Sequence, residues 1–290
     1  MRSDGTSPST AAGRSVPDLY AALTEFALRR EPESSRSLSI HQGLWGPDTK
    51  TGREGLERAV RTLVRGCRLG PGRHVLDAGC GVGGTAITLA ETYGVRVTGL
   101  TNCAPHVAAA AQEAQERGVG HLVEFLHGDF MDLPFPDASF DAVLNQESFC
   151  YANDKPAYLR GVFRVLKPGG RWQGLEVLPG GAPVSDEHRS LLAVVRRSWR
   201  LPPFVAWRDL LATLEDAGFT AIENRDLTTE ALRWREGLRQ RLMLLLFLNP
   251  QIRETHPTLV EFMDGSVCFA RGLSVGVFTY HFLSATRPTR

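Results

Sequence analysis

The chain of 290 residues holds only three lysines, Lys50, Lys155 and Lys167, so arginine supplies nearly all of its positive charge. Lysine and arginine together number 33 against 32 acidic residues, a formal net charge of +1. That balance leaves no global field to hold nucleic acid or an anionic membrane, and a small-molecule partner is expected. Cysteine is sparse too. Cys67, Cys80, Cys103, Cys150 and Cys268 have no C-x-x-C or C-x-x-H spacing, which argues against a disulfide scaffold or a zinc module and fits reduced thiols in the cytoplasm. The longest apolar run, LMLLLFL from Leu242, is far too short to span a bilayer, and the polar leader 1–17 has no apolar signal core, so no membrane insertion is expected. His106, His121, His127, His188 and His281 lack ligand spacing, and no resident metal is expected.

Apolar residues are plentiful at 42%, enough for a sizeable core. Helical apolar spacing from Asp18 and again from Arg53 marks a flap over 18–72, ending at Pro71 and Gly72. From His74 short apolar runs alternate with helical stretches: HVLDAG, RVTGLT, VEFLHGDF, FDAVLN and RWQGLEVL, with the helix after FDAVLN ending at KPGG. Such alternation predicts a doubly wound, mostly parallel sheet over a core at 73–180, with ligands at the carboxyl ends of its strands. Helical segments then fill 181–272, expected as a lid with remaining core, and 273–290 carries the last strand.

Gly79, Gly81 and Gly84 satisfy the G-x-G-x-x-G pattern of a dinucleotide loop. A nicotinamide site needs an acid at the end of the second strand, yet that strand ends in Thr101 and Asn102. The acid is Asp77, in the turn itself, where it suits a cationic amine and repels a pyrophosphate.

VLDAGCGVGG, GDFMDLPFPDASFDAVLNQESFCY and RVLKPGG, in that order, resemble the motifs of class I S-adenosylmethionine-dependent methyltransferases. The resemblance implies a Rossmann-like sheet of seven mostly parallel strands with helices on both faces. It also implies S-adenosyl-L-methionine as cofactor, with Asp77, Gly79 and Gly81 beside its amino-acid half and Asp129 and Phe130 at the adenine. Many family members carry an acid for the ribose where this chain has Thr101 and Asn102, whose side chains can still reach the hydroxyls through weaker neutral bonds, and Asn145 is expected nearby. GLTNCAPHV and the double glycine resemble the branch with sterol, tocopherol and prenyl-diphosphate C-methyltransferases.

In that branch a glutamate follows the fourth strand, which here implies Glu147 as the group that steadies a cation and then removes its proton. His41 is the alternative base. Trp45, Phe149, Tyr151 and Trp172 are expected to line the acceptor pocket, and Arg196, Arg197 and Arg200, or the group of Arg233, Arg235, Arg239 and Arg241, to grip a diphosphate. The expected activity is carbon methylation of an isoprenoid or related natural-product intermediate, a step of secondary metabolism; the alternative is O- or N-methylation of a polyketide, sugar or indole-type metabolite. Assistance by Mg2+ and homo-oligomer formation stay open.

Overall fold

A parallel sheet grows from β1 (His74–Ala78), whose alternate residues serve two cores: Val75 packs into one and Leu76 into the other. The structure is a computed structural model that describes residues 15–28, 41–181, 185–232 and 250–289. The chain enters through α1 (Val16–Leu28) and α2 (Gly52–Leu63). Thr51 caps α2 in a reciprocal box with Glu54, and Leu56, Ala59, Val60 and Leu63 form its buried face. After β1 come α3 (Gly84–Tyr93), β2 (Arg96–Thr101), α4 (Ala104–Glu116) and β3 (Val123–His127). Then follow β4 (Phe140–Gln146), a short 3-10 turn (Phe149–Tyr151), α5 (Lys155–Val165) and β5 (Leu166–Pro179).

The described remainder is α6 (Asp186–Trp199), α7 (Trp207–Asp216), β6 (Thr220–Asp226), α8 (Thr228–Leu232), α9 (Pro250–Thr255), α10 (Pro257–Ser274) and β7 (Phe278–Thr286). All seven strands join one sheet in the order β3-β2-β1-β4-β5-β7-β6. Pairing is parallel from β3 to β5, while β7 runs antiparallel to both β5 and β6. The strand order reverses between β1 and β4, and a crevice at their carboxyl ends is where this architecture takes ligands.

Two details depart from the sequence pattern. The helix before KPGG stops at Val165, and Leu166 already pairs with Phe140, so Lys167–Gly170 belong to β5. Strand β6 (TAIENRD) gave no separate apolar signal, because it is an edge strand with no buried residue.

Helix α6 lies against α10, where Trp199 stacks on Phe262 with ring centroids 5.8 Å apart. A Cβ at Gly265 would sit 2.7 Å from Ser198, so glycine is what lets the two helices approach. Leu19 and Leu23 of α1 in turn bury against Leu259 of α10.

Candidate active site

Strand β1 delivers Asp77 into the crevice at 1% exposure. The Ala86 N–H donates to its carboxyl group, and Oδ2 has no partner among the described residues. Burial pushes this carboxyl up to about 7 in spite of the Ala86 bond. An unsatisfied buried carboxylate oxygen is costly, and it marks a place for a donor or a cation. The loop behind it is fixed because Gly79 N and Cys80 N both donate to the Leu100 carbonyl, at 2.8 and 3.0 Å. Gly79 (φ +91°) meets Ser148 so closely that a Cβ would lie 2.5 Å from that residue's own Cβ, whereas Gly81 (φ +55°) faces open space.

The ends of β2 and β3 complete this half. Asn102 and Asp129 are exposed there, and Asp129 Oδ1 accepts from the Met131 N–H at 2.9 Å. Phe130 is half-buried and meets Tyr158 edge-on at 5.1 Å. Thr101 departs from expectation. It is 4% exposed and its Oγ1 accepts from the Cys103 N–H, so it shapes the loop and leaves Asn102 to face outward.

Asn145 also needs correction, since it is fully buried with both ends of its amide spent inside the fold. Its Nδ2 donates to Ala78 O and Ser148 Oγ, and its Oδ1 accepts from Tyr158 OH and Trp172 Nε1, both at 2.8 Å. Nothing is left over for a cofactor, so Asn145 is the tie between β1, β4, α5 and β5. Trp172 and Phe149, expected at the acceptor, belong to the same core at 0% and 2% exposure, with ring centroids 5.1 Å apart.

Glu147, one residue past β4, adopts φ +53°. A non-glycine residue there is strained unless its surroundings hold it, and such residues cluster at functional sites. Its own N–H donates to the Leu175 carbonyl at 2.9 Å. Its Oε1 accepts from the Gln42 N–H and from Tyr280 OH, both at 2.7 Å, and Oε2 carries no bond among the described residues. Burial pushes this carboxyl up to about 7 against the pull of those two bonds.

Around Glu147 stand groups the sequence pattern did not single out. Glu176 of β5 is buried and accepts from the N–H groups of Ser148, Phe149 and Cys150, so it caps the turn that carries Tyr151. Tyr20 of α1 lies with its hydroxyl 3.0 Å from that of Tyr151. A lone acid inside the apolar run GLEVL was the one available sign of Glu176; Tyr20 and Tyr280 stand in apolar stretches that carry no local sign of a site.

The remaining expected residues fall in three places. His41 Nδ1–H donates to the Gln42 carbonyl, and its Nε2 is buried without a partner among the described residues. Burial lowers the imidazole to about 4, which keeps it neutral. Trp45 is half-buried against the start of α2, near Gly55, with its backbone N–H bonded to the Glu230 carbonyl. Arg196 is exposed on α6, while Arg200 bonds Glu261 of α10 at 2.9 Å, a tie between lid helices in place of the expected ligand contact. Arg233, Arg235, Arg239 and Arg241 lie outside the described residues. Among the described residues no group of three or more side chains could hold a metal, and no helix is long and apolar enough to cross a membrane. All five cysteines are free.

Residues 76–172 match a family model described as a methyltransferase domain. The chain is 36% identical over 167 residues to a sterol 24-C-methyltransferase of Aspergillus fumigatus, an alignment covering 56% of this chain and 44% of that protein. It is 34% identical over 193 residues to an O-methyltransferase of Aspergillus nomiae, covering 65% of this chain and 83% of the relative. Thus it spans under half the length of the first relative and most of the second. Among solved structures the cyclase SpnF superposes with a TM-score of 0.79 at 24% identity, over 98% of both chains, which is likeness of fold. The orphaned Asp77 oxygen, the open space at Gly81 and the exposed Asn102 and Asp129 fit a zwitterionic nucleoside. The chain therefore belongs to the class I S-adenosylmethionine-dependent methyltransferases, and S-adenosylmethionine is its cofactor.

Proposed function

We propose that this protein methylates a carbon atom of a lipophilic small molecule of isoprenoid type. S-adenosylmethionine supplies, when bound, an electrophilic methyl group whose sulfur leaves as a neutral thioether. Asp77 would hold its amino-acid half beside the Gly79–Gly81 loop, with Asn102 at the ribose and Asp129 and Phe130 at the adenine. An alkene acceptor gives its π pair to the new carbon–carbon bond and becomes a cation. The Glu147 carboxylate steadies that charge, and its Oε2 then takes the adjacent proton to restore the alkene. Tyr151 and Tyr20, whose hydroxyls meet at 3.0 Å beside Glu147, are the candidate aromatic partners of the same cation.

The observation that carries this reading is the buried Glu147 carboxyl, strained in backbone, fixed by two bonds to one oxygen and unbonded at the other among the described residues. Similarity to a sterol carbon methyltransferase supports it. A second reading, O-methylation, is favoured by the neutral, buried Nε2 of His41, which has no partner among the described residues and can accept a hydroxyl proton, and by the O-methyltransferase relative. The reading keeps a cytoplasmic location, in line with five free thiols, and a role in natural-product metabolism.

The test is transfer of an isotopically labelled methyl group to a panel of Δ24 sterols, prenyl alcohols, prenyl diphosphates, phenols and indoles, with the labelled atom located by mass spectrometry and NMR. Label on carbon is expected. Label on oxygen or nitrogen would replace this reading with the second.

A further inference from the structure

Strand β7 lies outside the matched methyltransferase domain, yet it sends Tyr280 to the carboxyl proposed to act as base. Tyr280 is fully buried, and its hydroxyl donates to Glu147 Oε1 at 2.7 Å. Its backbone is pinned as well, because its N–H donates to Thr228 Oγ1 at 2.9 Å and its carbonyl accepts from the Leu227 N–H at 2.7 Å. Neither bond depends on the hydroxyl. The phenol therefore reaches Glu147 from a rigid strand, which is how a precisely aimed carboxyl is built.

We propose that Tyr280 is a positioning residue for Glu147, holding the carboxyl through Oε1 so that Oε2 is the atom that takes the acceptor's proton. This rests on the reading of Glu147 as base. The second donor on Oε1 is the Gln42 N–H, so one oxygen is anchored by β7 and by the flap segment between α1 and α2, and the other is kept for chemistry. An anchored carboxyl cannot rotate to exchange its two oxygens without breaking both bonds at once.

The same hydroxyl sets the proton affinity of the base. The groups facing Glu147 are Glu176 from β5, Cys150 and Tyr151 from the turn, Tyr20 from α1 and Tyr280 from β7, with His41 next to the Gln42 donor. Among the described residues none of them is a cation: His41 is held neutral by burial, and Lys155 interacts electrostatically with Glu176 and Cys150. Among the described residues hydrogen bonds are thus what lowers the Glu147 proton affinity against burial, and Tyr280 supplies one of the two.

Replacing Tyr280 by phenylalanine removes that bond and keeps the ring in the core. The direct assay follows the carboxyl itself: infrared difference titration of the cofactor-free protein, with the band of protonated Glu147 assigned by its loss in Glu147→Gln. The expected midpoint near 7 in the wild type moves up by about one pH unit in Tyr280→Phe, in line with loss of one charge-assisted hydrogen bond. Activity toward the acceptor identified by label transfer should show its acid limb moving by the same amount, with S-adenosylmethionine affinity unchanged within about twofold as a check on folding. A midpoint that stays in place while Glu147→Gln abolishes turnover overturns the role of Tyr280 alone. Full turnover in Glu147→Gln overturns both that role and the reading on which it rests.

Discussion

Asn145→Ala separates a scaffold role from a ligand role at the centre of the fold. The substitution leaves Tyr158 OH and Trp172 Nε1 without their acceptor, and both side chains are at most 1% exposed. The Ala78 carbonyl keeps its bond from Ser148 Oγ at 2.6 Å, so it adds little to the loss. Two buried donors left unsatisfied, at about 1–3 kcal/mol each, give a destabilisation of about 4 kcal/mol. For a chain of this size that lowers the melting temperature by roughly 8–16 °C. Urea unfolding followed by tryptophan fluorescence measures it, and calorimetry at low temperature, where the variant stays folded, measures S-adenosylmethionine affinity. A stability loss below about 1 kcal/mol together with a tenfold or greater loss of affinity would refute the scaffold assignment and return Asn145 to the cofactor.

Other perturbations follow from the same geometry. Asp77→Asn should weaken S-adenosylmethionine binding by about 2–5 kcal/mol above pH 7, and the wild-type affinity should fall as Asp77 protonates below about 7; calorimetry showing affinity unchanged within twofold would undo the assignment. Burial raises Asp77 and Glu147 to about 7 and Glu176 to about 8, above their values in an unfolded chain. The folded state thus binds protons that the unfolded chain has released between about pH 4 and pH 8, and stability of the cofactor-free protein should fall as pH rises through that window. Denaturant titrations showing a rise instead would mean that these carboxyls are ionised in the fold. Tyr20→Phe removes the hydroxyl bond to Tyr151 and should loosen α1 by about 1 kcal/mol, read as faster hydrogen exchange across residues 16–28, with unaltered exchange as the contrary result.

The strand and helix rhythm and the glycine turn were legible in the sequence because each is written locally. β1, β2 and β4 are short apolar runs, and Asp77 precedes glycines whose positive φ the turn requires. What local pattern could not show is direction. Asn145 and Thr101 stand at strand ends like ligand-facing residues, yet their side chains turn inward to partners far along the chain or within the loop. Trp172, in the middle of β5, and Phe149, in the turn after β4, are likewise taken by the core, since an aromatic residue carries no local mark of which face it joins. Glu176 and Tyr280 acquire meaning only through pairing: β5 and β7 are neighbours in register, and 133 residues of sequence separate Tyr280 from Glu147. Arg200 shows the converse, a charge that looked free for a ligand and is held by Glu261 across two helices.

The central claim is that Glu147 is the base for methylation at carbon, and Glu147→Gln tests it most directly. The substitution preserves size and the place of Oε1 but removes the charge and the proton acceptor. With the carbon acceptor identified by label transfer, turnover should fall by about two orders of magnitude or more, while S-adenosylmethionine affinity stays within about twofold of wild type. A fall of less than about fivefold would contradict the account and leave His41 as the base of an O- or N-methyltransferase.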